Sequence, residues 1–112
     1  MSATALKERL RTDLKSAMRE KRAGEVALLR KLIAALDNAE AVPTQGYRPR
    51  ALGDPSGEVA RREIDRAEVD SLLAGEIVER QAAAEDLERL GRSGDAARLL
   101  HEAELIARYR AN

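Results

Sequence analysis

Apolar residues recur every three or four positions over two long stretches of this chain, and between the stretches the pattern stops. Leu6, Leu10, Leu14, Ala17 and Met18 form one such stripe and predict a helix from about Thr4 to Arg22, with Gly24 as its stop. Leu28, Leu29, Leu32, Ile33, Leu36 and Ala39 predict a second helix from about Glu25 to Ala41. The link between the two is so short that they should pack antiparallel, as a hairpin. A third helix should begin near Asp65, a good N-cap with Glu68 three positions on, as in a capping box. Its stripe is Val69, Leu72, Leu73, Ala83, Ala84, Leu87 and Leu90, and Gly91 and Gly94 mark its end. Asp95 is placed to cap a fourth helix, with Leu99, Leu100, Ala103, Ile106 and Ala107 as its stripe.

All three prolines (Pro43, Pro49, Pro55) and three of the seven glycines lie between residues 43 and 57. Proline lacks a backbone donor and glycine has no conformational preference for a helix, so about 43–63 reads as one flexible loop. No apolar/polar alternation persists anywhere, so no strand is expected. The fold class is therefore all-α: two antiparallel helical hairpins that pair their apolar faces as a small four-helix bundle, in a single domain over residues 1–112.

Composition sharpens this picture in one respect. The chain is 44% hydrophobic but has no Phe or Trp, and Tyr47 and Tyr109 are its only aromatic residues. The core must be made of Leu, Ile, Val and Ala, which suits closely packed helices and gives a modest margin of stability. Cysteine is absent, which excludes disulfides and thiolate metal sites. His101 is the single histidine, so no metal site is expected. No apolar run approaches the roughly 20 residues that span a bilayer, and MSATALKERL lacks an apolar signal core. The expected location is the cytoplasm, with no membrane partner.

Charge is balanced in sum but not along the chain. Residues 1–40 hold nine Lys/Arg against six Asp/Glu, a net of +3; residues 41–66 hold five against four; residues 67–112 hold six against ten, a net of −4. The N-terminal part can face an anion that the C-terminal part would repel. Lys7, Arg11, Lys15, Arg19 and Arg22 gather on one side of the first helix, interrupted only by Glu8. They are the candidate RNA-contacting residues, suited to phosphates along a nucleic-acid backbone. With few aromatic platforms, such a surface would read backbone and shape rather than bases. The alternative for these cations is solubility, with carboxylates of other helices as partners.

The third helix breaks its own stripe once, at Glu76 and Arg80, four residues apart. One reading is an intrahelical ion pair at the edge of the seam. The other is a polar feature inside the bundle that reaches Arg30, Glu40 or Glu104 on another helix and fixes register. Neither is catalytic. The hydroxyl residues show no motif beside His101, no glycine-rich phosphate loop precedes a helix, and the carboxylates Glu85, Asp86 and Glu88 read as a solvated face. The sequence thus points to no catalytic residue and no cofactor.

The stretch LKERLRTDLKSAMREKRAGEVALLRKLIAALDNAEAV resembles the start of the YqeY-like proteins of the GatB/YqeY family. EVDSLLAGEIVERQAAAEDLERLGRSGDAARLLHEAELIARY looks like that family's next two helices, with Glu76 and Arg80, the Gly91–Arg92 turn, and Glu102 to Leu105 as the matching elements. The resemblance covers roughly residues 6–42 and 66–109, and makes 43–63 look like an insertion. The family is helical and similar to the C-terminal region of the B subunit of the glutamine-dependent tRNA amidotransferase. That region is an appendage that helps engage tRNA and holds neither the amidase nor the kinase chemistry. The resemblance therefore implies a tRNA-linked accessory role, with tRNA or an amidotransferase-like protein as partner. It carries a carbon–nitrogen ligase label without a mechanism. The family's usual Leu-Pro segment and second helical domain have no counterpart here, so a short form lacking the tail is expected. A protein–protein interaction module without an RNA role, and a subunit-like modulator of an amidotransferase, are the rival expectations.

Overall fold

The structure, a computed structural model, describes residues 2–41 and 62–110. These form four helices: α1 (Ala3–Arg19), α2 (Ala23–Glu40), α3 (Arg66–Arg89) and α4 (Ser93–Arg110). The expected all-α architecture of two hairpins is what the chain adopts, with α1 packed on α2 and α3 on α4. The segment expected as a loop over 43–63 lies, except for Arg62 and Glu63, outside the described residues.

Each helix start has an identifiable cause. The Ser2 hydroxyl accepts the Ala5 N–H at 3.1 Å and starts α1 slightly earlier than its stripe predicts. Asp65 caps α3 as expected, its carboxylate accepting the Glu68 N–H at 2.8 Å. Ile64, just before that cap, and Val69, five residues later, are both buried in the main core. This is a hydrophobic staple, which fixes the angle at which the chain enters the helix. Asp95 does not cap α4; it lies in the first turn of a helix that already begins at Ser93. There it sits near the positive end of the helix dipole and pairs with Arg92 at 2.6 Å and Arg98 at 3.1 Å.

The two hairpin turns are built alike. After α1, Lys21 adopts a left-handed backbone (φ 57°). The Arg22 N–H donates to the Ala17 carbonyl at 2.9 Å and the Lys21 N–H to that of Met18 at 3.2 Å. After α3, Gly91 takes the same role (φ 75°), with Arg92 donating to Leu87 at 2.8 Å and Gly91 to Glu88 at 3.0 Å. Both are Schellman turns, which satisfy the last carbonyls of a helix. Each is followed by Arg-x-Gly and an acidic residue: Arg22, Gly24, Glu25 in the first and Arg92, Gly94, Asp95 in the second. The stop of α1 is therefore Lys21, not Gly24, which lies inside α2. Gly94 likewise lies inside α4.

The core is one cluster that crosses all four helices. Leu6, Leu10 and Ala17 of α1 join Leu28, Leu29, Leu32 and Leu36 of α2, and these meet Ile64, Val69 and Leu73 of the α3 end and Ile106 of α4. Tyr109 closes it against α1: its hydroxyl hydrogen-bonds the Asp13 carboxylate and Arg9 stacks 4.8 Å from its ring centroid. Beyond Ile77 the second hairpin leaves this cluster, and Ala84, Ala96 and Ala103 are its buried residues there. Small side chains let α3 and α4 approach closely over that outer half.

Four stripe positions are exposed instead of buried. Leu90, 73% exposed, is the residue after the last turn of α3 and no longer shares its seam. Leu100 and Ala107 face outward because the buried row of α4 runs Ala96, Ala103, Ile106, with Leu99 half-buried. Met18 lies past the edge of the α1 seam and is 51% exposed.

Candidate functional site

The charged residues singled out in α1 separate into two groups by what their neighbours do with the charge. Lys7 faces α2, with its side chain 11% exposed, and holds both Asp37, at 3.2 Å, and Glu40. The hydrogen bond to Glu40 raises its pKa above the usual lysine range; burial opposes this and Asp37 assists. Arg22, which lies in the turn after α1, bridges Glu20 at 2.7 Å and Glu25. These two cations tie the first hairpin together. Arg11, Lys15 and Arg19 are different: they recur every four residues on the exposed side of α1, and none has an ion-pair partner among the described residues. Lys21 and Arg30, neither of them among the expected RNA-contacting residues, share this state and lie near them on the turn and on α2.

The contrast with the second hairpin is sharp. There Arg80, Arg89, Arg92, Arg98 and Arg110 each hold a carboxylate. The positive charge left uncompensated is thus concentrated on the outer face of the first hairpin, where the sequence had placed its surplus.

A shallow groove runs along that face. Met18, Ala23, Val26 and Ala27 line it with the cations Lys21 and Arg30, and it is wide open to solvent, with a volume of about 480 Å³. The signal for it in the sequence is weak: Met18 has the spacing of a core residue, and only its position four after Leu14 at the margin of the stripe hints that it faces out.

Glu76 and Arg80 are brought together, but the partner that dominates is on another helix. The Arg80 side chain is 11% exposed; its Nε donates to Glu102 of α4 at 3.0 Å, its Nη1 donates to the Glu76 carbonyl at 3.1 Å, and the Glu76 carboxylate is 3.5 Å away. The arginine therefore clamps α3 to α4 through Glu102, a residue that none of the three expected partners (Arg30, Glu40, Glu104) anticipates. Glu102 is one turn from Ile106 on the half-buried flank of α4, and that spacing is where its role was readable.

His101 is exposed, and among the described residues no three His, Asp or Glu side chains gather closely enough to hold a metal ion. Among the described residues no helix is long and apolar enough to cross a membrane. No protein-family model matches the chain, and no curated protein is significantly similar to it.

Proposed function

We propose that this chain is a YqeY-like, non-catalytic accessory module of the cytoplasm that engages tRNA through the backbone-facing cations Arg11, Lys15 and Arg19, alone or beside an amidotransferase-like protein. The observation that carries the reading is the distribution of uncompensated charge: three exposed cations spaced one helical turn apart on α1, while Lys7 and Arg22 are already neutralised by carboxylates. Successive turns place their charges about 6 Å apart in a row along the helix, which can follow the phosphates of a nucleic-acid backbone. Among the described residues this row of cations has no aromatic platform beside it, so the contact follows backbone and shape, as recognition of folded RNA commonly does.

The test is a titration with bulk tRNA over a range of salt. Binding should weaken steeply with salt, and replacing Arg11, Lys15 and Arg19 with Glu should abolish it while circular dichroism stays helical, since none lies on the buried stripe. Each lost phosphate contact should reduce the salt slope by about 0.7–0.9. Charge reversal at Arg89 and Arg98, in the acidic half, should change little. No detectable binding at low salt would sink the reading and leave the interaction-module alternative in its place.

A further inference from the structure

The groove on the outer face of the first hairpin exposes apolar surface that the core leaves uncovered: Val26 packs against the core on one side only, and Met18 is not part of it. Met18 is 51% exposed at its floor, beside the half-buried Val26 and the exposed Ala23 and Ala27. Methionine is flexible and polarizable, and an exposed one on an apolar floor is adaptable contact surface for another chain. Ala23, Val26, Ala27 and Arg30 form one row along α2 at i, i+3, i+4 and i+7, with Met18 and Lys21 beside it at the turn, and a helix laid along such a row packs its own side chains into it. Its edges decide the charge of that helix. Lys21 and Arg30 line it with no ion-pair partner among the described residues, and Lys15 stands one turn away on α1. A basic or neutral helix would leave these cations uncompensated, whereas acidic flanks would pair with them across the rim.

We propose that this groove docks an acidic amphipathic helix of a partner protein, its apolar row seated on Met18 and Val26 and its Glu or Asp flanks over Lys21 and Arg30. The site shares its cationic face with the tRNA reading but differs from it in its apolar determinants. Its affinity depends on the neutral residues Met18 and Val26, which contribute nothing to a phosphate contact.

The experiment uses the full chain and a fluorescein-labelled synthetic peptide of roughly four helical turns, with Leu at i, i+4, i+7 and i+11 and Glu on the flanks. Two control peptides accompany it: one of the same composition with the Leu row scrambled, and one with Lys in place of Glu. Anisotropy should show saturable binding of the Glu peptide only. Met18→Ser should weaken it about tenfold, as expected for removing one buried apolar side chain from the contact. The pair Lys21→Glu and Arg30→Glu should abolish it, with helicity unchanged in both variants. Met18→Ser leaves charge untouched and should bind tRNA as before, so the two readings fail separately. Equal binding of the scrambled peptide, no binding of the Glu peptide, or no effect of Met18→Ser would overturn the proposal. So would sedimentation equilibrium showing a dimer that Met18→Ser dissociates, because the groove would then belong to a second copy.

Discussion

Lys21 is the one residue of the described chain other than glycine with a left-handed backbone. A β-carbon in that conformation crowds the neighbouring carbonyl, which costs about 1 kcal/mol. The matching position of the second turn is Gly91, where the same geometry carries no such strain. Lys21→Gly should therefore stabilise the protein by about 0.5–1 kcal/mol and raise its thermal midpoint. Gly91→Ala should lower it by a similar amount although the space around Gly91 is open, since nothing lies within 4 Å of the added carbon. Tyr109 gives a second residue-scale expectation, this one in pH. Burial first, and then the hydrogen bond to Asp13, hold its hydroxyl above the ordinary tyrosine range. The folded state thus keeps the proton more tightly than the unfolded one. The contribution is complete below about pH 10, the unfolded value, and is lost as pH rises beyond it. Chemical denaturation should show stability falling above about pH 10 in the wild type. The fall should be distinctly shallower in Tyr109→Phe, which lacks this proton.

At the scale of elements, the join between the hairpins is set by a short contact. The Arg62 N–H donates to the Glu40 carbonyl at 2.7 Å, so the chain re-enters the described structure where it left it, and Ile64 and Asp65 then start α3 at once. Two ends already held together need little chain to connect them, and closure entropy grows only slowly with loop length. Replacing residues 43–60 with a short Gly-Ser linker should preserve helicity and change stability by no more than about 1 kcal/mol, measured by urea unfolding. A loss of cooperative unfolding in that variant would show that the segment contributes to the core. The number and order of the helices and most buried positions were legible in the sequence, because Leu6, Leu10, Leu32, Leu36, Leu73 and Ile106 follow the helical repeat and are fully or almost fully buried. The α1 stop was missed because a lysine, not a glycine, occupies the left-handed position. The α4 seam was misphased at Leu100 and Ala107 because Ala96, outside the expected stripe and small enough for close approach to α3, joins the expected Ala103 and Ile106 in defining it. For the site, the cationic repeat on α1 was visible as a pattern, but which cations are already paired depends on where α2 places Asp37, Glu40 and Glu25. No single-helix projection contains that information.

Across the whole molecule, stability is unevenly distributed. Every large, fully buried side chain (Leu6, Leu10, Leu32, Leu36, Leu73 and Ile106) belongs to the cluster shared by both hairpins, whereas the buried residues of the second hairpin outside it are all alanines: Ala84, Ala96 and Ala103. A buried leucine contributes about 1.5–3 kcal/mol by removing apolar surface from water, and an alanine far less. The Arg80 clamp to Glu102 stands at the boundary between the two regions. The outer part can therefore open without breaking the shared core, as a low-energy sub-global unit. Native-state hydrogen exchange should show amides of roughly 82–98 exchanging well before those of 68–76 and 104–108, with a weaker dependence on denaturant. Ile106→Ala, which cuts into the shared cluster, should cost about 2–5 kcal/mol and speed exchange in α1 and α2 as well as α4. Ala84→Gly, by contrast, should act only on the outer region, by about 1 kcal/mol through helix propensity and lost contact. The first hairpin would keep its groove and its uncompensated cations while the outer part of the second is open. Uniform exchange protection across α3 and α4 would show instead that the alanine-packed outer half is as firmly held as the leucine core.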